Sequence, residues 1–338
     1  MNKTEQKRNK KALTEDLEAA LSEEHATDGE PINTDVKKRG ELPKSAKRFI
    51  VGCLAFNVLM MTTICVLAYF CLSADNKAEK TAVKTEESSV ADEHEGEFFV
   101  EDNALGGMWL PKSENLKKSS LNANKFHESN GIITYDGAAL GIDVSEFQTV
   151  TDWNAVKQAG VDFVMVRVGR RGYETGLIVE DTDYRRNIEG AQEAGLDVGV
   201  YFFSQAVTTN EAREEARFVL DCIKDYEITY PVVFDWESTE KAEARTFEMK
   251  NDQLNTIAHA FVDTIEEAGY HPMLYFYKYL GYKQYVLDEF ADCDFWLSEP
   301  ADRPTFYYET AMWQYAVDGK IPGVEGAVDL DICFKPYT

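Results

Sequence analysis

The chain contains 338 residues, of which 44% are hydrophobic and 12% aromatic, enough for one domain of about 200 residues with appendages. Its formal net charge of −25, from 60 acidic and 35 basic residues, argues against nucleic acid as a partner, because phosphate backbones are bound by clustered Lys and Arg. The six cysteines form no CxxC pair and the five histidines no HExxH motif, so we expect neither a metal site nor a cofactor.

The N-terminal part of the chain divides into two segments. Residues 1–48 are polar, carry charges of both signs and show no apolar periodicity, which predicts a disordered tail. Residues 49–72 contain no charged side chain. A helix of this length would measure roughly 36 Å at about 1.5 Å per residue, enough to cross a hydrocarbon core of about 30 Å. The sequence therefore predicts one transmembrane helix over 49–72.

The flanking charges predict the orientation of that helix. Within residues 37–48, the single acid Glu41 stands against six basic residues, Lys37, Lys38, Arg39, Lys44, Lys47 and Arg48. The positive-inside rule therefore places 1–48 in the cytoplasm and the C-terminal part outside the cell membrane. A cleaved signal peptide is the alternative, but the polar region that precedes 49–72 is too long for one. We expect a single-pass membrane protein.

Residues 73–135 are rich in Glu, Lys, Ser and Asn, a composition that predicts an extracellular linker. Two apolar patches, at 98–100 and 108–111, are unusual for a tether and could dock on the folded domain.

Residues 136–338 alternate between strand and helix patterns. Strand-like runs occur at 139–144, 163–168, 198–203, 231–236 and 273–277, and helical segments between them at 153–159, 184–194, 210–223 and 252–268. Shorter strands follow at 295–297, 312–315 and 328–334. Repeated βα units predict a parallel sheet, and their number favours a barrel. The predicted fold is α/β, an irregular TIM-like barrel with five βα units and three late strands.

Acidic residues lie where the predicted strands end. Asp143 ends the first strand, Asp235 and Glu237 end the fourth, and Asp329 lies in the last. In parallel α/β barrels the functional residues lie at the carboxyl ends of the strands. Residues two apart on a strand share a face, so Asp235 and Glu237 point the same way, with Cα atoms about 6.6 Å apart. Such a pair can keep one carboxyl ionised while the other retains its proton, as protonation of a glycosidic bond requires.

These motifs together resemble glycoside hydrolase family 25, the Chalaropsis-type lysozymes. The resemblance spans nearly all of 139–338 and is carried by GIDVS at 141–145, GVYFFS at 199–204, PVVFDWE at 231–237, MWQY at 312–315 and VDLD at 328–331. It implies a barrel fold and cleavage of the β-1,4 bond between N-acetylmuramic acid and N-acetylglucosamine in peptidoglycan. Matching positions imply that Glu237 is the general acid and Asp235 the assisting carboxylate, with Asp143 and Asp329 completing an acidic cluster.

Two positions depart from the family pattern. Phe202 stands where many members have His, and Trp296-Leu297-Ser298-Glu299 replaces a commoner Trp-Ile-Ala. Neither departure removes a catalytic carboxylate. Aromatic rings and an amide near strand ends are candidates for binding sugar, although each aromatic could equally belong to the core: Tyr201, Phe203, Trp236, Tyr275, Tyr277, Trp313 and Gln314.

The sequence thus predicts a membrane-anchored peptidoglycan hydrolase that acts on glycan strands in cell-wall remodelling. The alternative is a catalytically inactive barrel that serves as a membrane-anchored glycan-binding module. Retention of all four acids favours the enzyme.

Overall fold

The structure, a computed structural model, describes residues 94–102 and 106–338. The predicted tail at 1–48 and the predicted transmembrane helix at 49–72 lie outside these residues. In the part that is described, no helix is both long enough and apolar enough to span a membrane.

Two antiparallel hairpins precede the barrel. In the first, β1 (Glu97–Asp102) pairs with β2 (Gly106–Pro111). In the second, β3 (Phe126–Ser129) pairs with β4 (Ile132–Tyr135), after a 3-10 turn at Ala123–Lys125. The described part of the range predicted as a linker is therefore folded. We call this part, residues 94–102 and 106–135, the strap.

The remaining elements follow in chain order. They are β5 (Ala139–Val144), β6 (Thr149–Val150), α1 (Trp153–Gln158), β7 (Phe163–Arg171), β8 (Ile178–Glu180), α2 (Tyr184–Glu193), β9 (Asp197–Ser204), α3 (Thr209–Ile223), β10 (Val232–Trp236), α4 (Asn251–Glu267), β11 (Pro272–Tyr277), α5 (Lys278–Lys283), a 3-10 helix at Leu287–Phe290, β12 (Asp294–Ser298), β13 (Met312–Gly319), β14 (Val324–Glu325) and β15 (Val328–Cys333).

Eight strands close into a barrel in the order β5-β7-β9-β10-β11-β12-β13-β15, with β15 returning to pair with β5. Neighbours are parallel from β5 to β13, whereas β15 is antiparallel to both β13 and β5. The short strand β8 extends the sheet beyond β7. The predicted α/β barrel is confirmed, and the antiparallel closing strand is the feature that makes it irregular.

Local sequence accounts for the helices that cover the parallel strands. Asp152 and Thr208 cap α1 and α3 by accepting hydrogen bonds from backbone amides in the first turn. Gly195 and Gly269 follow α2 and α4 with φ of 75° and 85°, a conformation that glycine adopts without strain. The apolar residues on the buried face of α4 repeat at helical spacing: Leu254, Ile257, Ala258, Phe261, Val262 and Ile265.

The strap covers the outer side of the late strands, where the connections contain no long helix. Phe98 stacks on Tyr307 with ring centroids 3.9 Å apart, and Phe126 meets Trp313 edge-on at 5.8 Å. The backbone amide of Ile133 donates to the hydroxyl of Tyr315 at 3.2 Å. Apolar strand faces must be buried against another layer, and here the strap provides that layer.

Candidate active site

A cleft opens at the carboxyl ends of the barrel strands, with a volume of about 210 Å³. Its lining brings together all four predicted catalytic acids with four of the predicted sugar-binding residues and five further side chains. These are Asp143, Ser145, Phe147, Gln148, Arg167, Tyr201, Phe203, Asp235, Glu237, Tyr275, Trp296, Gln314 and Asp329.

Strand register explains how distant acids meet. Asp143 on β5 lies directly opposite Asp329 on the antiparallel strand β15. Asp235 on β10 is level with Phe203 on β9 and with Tyr275 on β11. Glu237 comes immediately after β10 and, two residues beyond Asp235, has the same orientation. The sequence prediction that these four carboxyl groups share one site therefore agrees with the geometry.

The acids differ in depth. Asp143 and Asp235 are 6% and 5% exposed, whereas Glu237 and Asp329 are half-buried. One oxygen of Asp235, Oδ1, is buried without a hydrogen-bond partner among the residues described. A fifth acid, Asp331, is fully buried one layer below and accepts a hydrogen bond from the Trp296 indole at 2.9 Å.

Burial raises the pKa of every acid in this cluster, and repulsion from neighbouring acids raises the pKa of all but Glu237 further. Burial, then the charge of Asp329, raises the pKa of Asp143 well above its ordinary value, against the hydrogen bonds from Gln314 and Tyr201. Burial, then the charges of Glu237 and Asp143, raises the pKa of Asp235 likewise. Burial also raises the pKa of Glu237. The cluster therefore retains protons at a pH at which isolated carboxyl groups would have lost them.

The pKa values of the two acids on β15 are raised for the same reasons. Burial, then the charge of Glu237, raises the pKa of Asp329 to about 6. Burial, then the charges of Asp143 and Asp329, raises the pKa of Asp331 well above its usual range. General acid catalysis near neutral pH requires a carboxyl group that is still protonated there, and this environment supplies one.

The amide of Gln314 joins several of these groups. Its Nε2 donates to Asp143 Oδ2 at 2.7 Å and to Asp329 Oδ2 at 3.4 Å. Its Oε1 accepts hydrogen bonds from the hydroxyls of Ser298 at 2.8 Å and Tyr275 at 3.1 Å. Tyr201 donates to the other oxygen of Asp143 at 3.4 Å.

Arg167 provides the positive charge of the cleft. Its guanidinium lies 2.7 Å from Asp181 and 3.3 Å from Glu146, and it packs under the ring of Phe147 at 4.9 Å. These two acids are not members of the catalytic cluster. The charge of Arg167 nevertheless lowers the pKa of Asp235 in part, against burial.

The predicted sugar-binding aromatics fall into two groups. Tyr201, Phe203 and Tyr275 line the cleft. Tyr277 lies beyond the lining and is hydrogen-bonded to Ser238.

The expectation that Trp236 and Trp313 stack on sugar is corrected. They are 2% and 0% exposed and pack in the hydrophobic core outside the barrel, because each alternates with an inward-facing neighbour.

Other residues at the site were missed from the sequence. Tyr173, 36% exposed, packs against Phe203 with ring centroids 5.6 Å apart. Burial, then the charge of Glu237, raises the pKa of Tyr173. Phe147 is 74% exposed at the rim. The sequence could have indicated Asp331, because it lies in the VDLD motif two residues after Asp329 and so faces the same side of the strand. Tyr173 could not be found in this way, because its position depends on the turn between β7 and β8. No three His, Cys, Asp or Glu side chains within the described ranges are arranged to hold a metal ion.

Comparisons with known proteins extend the picture. A family model described as Glycosyl hydrolases family 25 matches residues 142–324, more than half of the chain. An autolytic lysozyme of Clostridium acetobutylicum is 27% identical over 192 residues, which cover 56% of this chain and 54% of that protein. Lysozyme M1 of Streptomyces globisporus is 24% identical over 204 residues, which cover 56% of this chain and 65% of that lysozyme. The chain thus spans roughly half to two thirds of the length of these relatives.

Among solved structures, the modular autolysin LytC of Streptococcus pneumoniae superposes with a TM-score of 0.53 at 22% identity, covering 71% of this chain and 57% of that one. A second structure of that autolysin contains a synthetic peptidoglycan ligand. At this identity the likeness concerns the fold.

Proposed function

Because the chain belongs to family 25 of the glycosyl hydrolases, we propose that it cleaves the β-1,4 bond between N-acetylmuramic acid and N-acetylglucosamine in peptidoglycan. One observation carries the proposal: Asp143, Asp235, Glu237 and Asp329 all line one cleft at the carboxyl end of the barrel. Two of the relatives are lysozymes by name, and the autolysin of similar fold has been crystallised with a peptidoglycan ligand.

Glu237 is the general acid in this proposal. It follows the last residue of β10 and is half-buried, so it can reach a bond lying in the open part of the cleft. Burial raises the pKa of its carboxyl group, which keeps the proton available for the leaving oxygen.

Asp235 assists from a deeper position. Its buried Oδ1 has no partner among the described residues, so a bound sugar can supply one. In the free cleft, burial strongly raises the pKa of Asp235, so this carboxyl group keeps its proton up to a higher pH than an isolated aspartate does. A hydrogen bond donated by an acetamido N–H of the substrate would favour the ionised form of Asp235. The proton for which Asp235 and Glu237 compete would then reside on Glu237. Binding of substrate thereby prepares both groups.

The rest of the cleft suits a sugar chain. Tyr201, Phe203 and Tyr275 provide ring surface, and aromatic rings bury much area on a sugar with little loss of side-chain entropy. When ionised, Asp143 and Asp329 contribute negative charge beside the bond that breaks, where an oxocarbenium-like transition state is positive.

The test is hydrolysis of purified peptidoglycan by the full chain, followed as reducing ends and by mass spectrometry of the released muropeptides. The proposal requires products that end in reducing N-acetylmuramic acid. Glu237→Gln keeps the size of the side chain but removes the acid, and should still bind glycan. If the wild-type chain binds peptidoglycan but releases no reducing ends between about pH 4 and 7, the chain is a glycan-binding module instead.

We also propose that the chain is anchored in the cell membrane by residues 49–72, with the barrel outside and residues 1–48 in the cytoplasm. The uncharged run and the basic residues before it support this orientation. Protease added to intact cells stripped of their wall should degrade the barrel and leave a tag at residue 1 protected. Recovery of the barrel in the medium, with a new N-terminus after residue 72, would show that the segment is a cleaved signal.

A further inference from the structure

Gln314 lies on β13 with its amide inside the barrel, 4% exposed. Both hydrogens of its Nε2 are engaged by Asp143 and Asp329, at 2.7 and 3.4 Å. Both lone pairs of its Oε1 are engaged by the hydroxyls of Ser298 and Tyr275, at 2.8 and 3.1 Å. A primary amide has two donor hydrogens and two acceptor lone pairs, so the hydrogen-bonding capacity of Gln314 is fully used.

The surroundings fix the orientation of this amide. If the amide were flipped, its carbonyl oxygen would face Asp143 and Asp329. Ionised carboxylates accept hydrogen bonds but do not donate them, so the carbonyl oxygen would find no donor there. The present orientation instead aims both hydrogens at Asp143 and Asp329. These acids lie directly opposite each other on β5 and β15, where two like charges repel.

We propose that Gln314 is a positioning residue that donates to Asp143 and Asp329 together, favours their ionised forms, and so sets how many protons the catalytic acids share. The inference rests on the proposed hydrolase function. It replaces the expectation from sequence that Gln314 binds sugar, since its polar atoms already have partners within the protein.

Titratable and charged groups come from every strand that lines the cleft with Gln314 or pairs with β13. They are Asp143 on β5, Arg167 on β7, Tyr201 on β9, Asp235 and Glu237 at the end of β10, Tyr275 on β11, Glu299 after β12, and Asp329 and Asp331 on β15. Glu299 is paired with Lys278 at 3.1 Å, which offsets its charge. The remaining carboxyl groups are close enough to compete for protons.

The sign of the effect follows from the donor. An N–H that donates to a carboxylate stabilises the ionised form. Without it, Asp143 and Asp329 keep their protons to higher pH, and fewer molecules have the ionised groups that the reaction needs. The profile of kcat/KM against pH reports ionisation in the free enzyme. Its acid limb, where activity rises with pH, then moves to higher pH.

The experiment measures that profile for the full chain and three variants. Gln314→Met removes the donors at similar size and should move the acid limb up by about one pH unit, as expected for loss of a hydrogen bond to a charged group. Gln314→Glu is isosteric and adds a carboxyl group, so it should move the limb further in the same direction. Ser298→Ala leaves the donors in place but loosens the amide, and should produce a smaller shift.

A matched control is Asn255→Ala on α4. Asn255 is 3% exposed and its amide also bonds through both ends, with Nδ2 donating at 2.8 and 2.9 Å and Oδ1 accepting at 2.8 Å, but it lies outside the cleft. This variant should lower the melting temperature and leave both limbs of the profile unchanged.

The possible outcomes separate the two proposals. If the Gln314 variants lose kcat with unshifted limbs, or raise only KM, Gln314 is structural or binds substrate, and the inference fails. If Gln314→Met does not fold, Gln314→Glu and Ser298→Ala still decide it. Absence of hydrolysis by the wild-type chain would instead reject the proposed function.

Discussion

Asp143 and Asp329 lie directly opposite each other on β5 and β15, at the seam where the one antiparallel strand closes the barrel. Opposite residues on neighbouring strands have side chains on the same face and close together, so like charges there destabilise the fold. The protein tolerates this pair through the Gln314 amide and through raised pKa values. Stability and charge at the site are therefore linked.

The link predicts how stability changes with pH. The pKa of Asp329 rises from an ordinary value near 3.8 to about 6 in the folded chain. Between these values the folded state binds more protons than the unfolded state, so the contribution of Asp329 to stability falls as pH rises from about 4 to 6. Asp329→Asn removes that penalty, and its melting temperature should exceed that of the wild type by a margin that grows across this window.

The control for this series is Asp318→Asn, an exposed aspartate at the far end of β13. Its melting temperature should run parallel to that of the wild type between about pH 4 and 7. Scanning calorimetry of all three chains gives the comparison. A constant offset for Asp329→Asn, independent of pH, would contradict the raised pKa.

The catalytic pair predicts losses of rate without loss of fold. Glu237→Gln removes the proton donor and should lower kcat by about 10²–10⁴. Asp235→Asn should cost a similar factor, because it removes the charge that supports the transition state. Since both groups act on one transition state, the double variant should lose far less than the product of the two factors.

Release of reducing ends from peptidoglycan measures these rates, and circular dichroism checks the fold. Glu240→Gln is the matched control, since Glu240 is an exposed acid three residues farther along the same loop. It should retain full activity. A comparable loss in Glu240→Gln, or multiplying losses in the double variant, would argue that Asp235 and Glu237 do not act together.

Much of this site followed from strand alternation alone. Because Asp235 and Glu237 are two residues apart, their shared direction was predictable, and the same rule turns Trp236 away into the core. Trp313 precedes Gln314 and is excluded from the cleft in the same way. The family resemblance is confirmed by the match over 142–324.

Other features depend on contacts that local patterns do not encode. The pairing of Arg167 with Asp181 requires the turn that brings β8 beside β7. The role of Gln314 requires β12, β13, β15 and β5 to meet in one register. Likewise the sequence indicated that apolar patches of the strap could dock on the folded domain, and the contacts of Phe98 with Tyr307 and of Phe126 with Trp313 show where the strap does so.

The two carboxyl groups also predict the stereochemistry of the product. Asp235 and Glu237 lie two residues apart at the end of β10 and point to the same face, and the resemblance to family 25 implies that Asp235 assists rather than attacks the sugar directly. We expect the 2-acetamido oxygen of the substrate to attack while Asp235 steadies the developing positive charge. NMR of the first-formed product should then show the β anomer. An α anomer would indicate direct attack by water, and a glycosyl ester trapped on Asp235 would contradict both routes.

The last prediction concerns the strap, where adjacent residues of β1 face opposite ways. Phe98 is 5% exposed and stacks on Tyr307 at 3.9 Å, whereas Phe99 is 51% exposed on the outer face of the hairpin. Phe98→Ala should lower the free energy of local unfolding of the hairpin by about 3–5 kcal/mol, the usual cost of removing a buried phenyl ring. Phe99→Ala should cost about 1 kcal/mol or less. Hydrogen exchange of the amides in β1 and β2 of the full chain measures both values. Equal protection in the two variants would mean that the hairpin is not held to the barrel through Phe98, and that the folded domain begins after it.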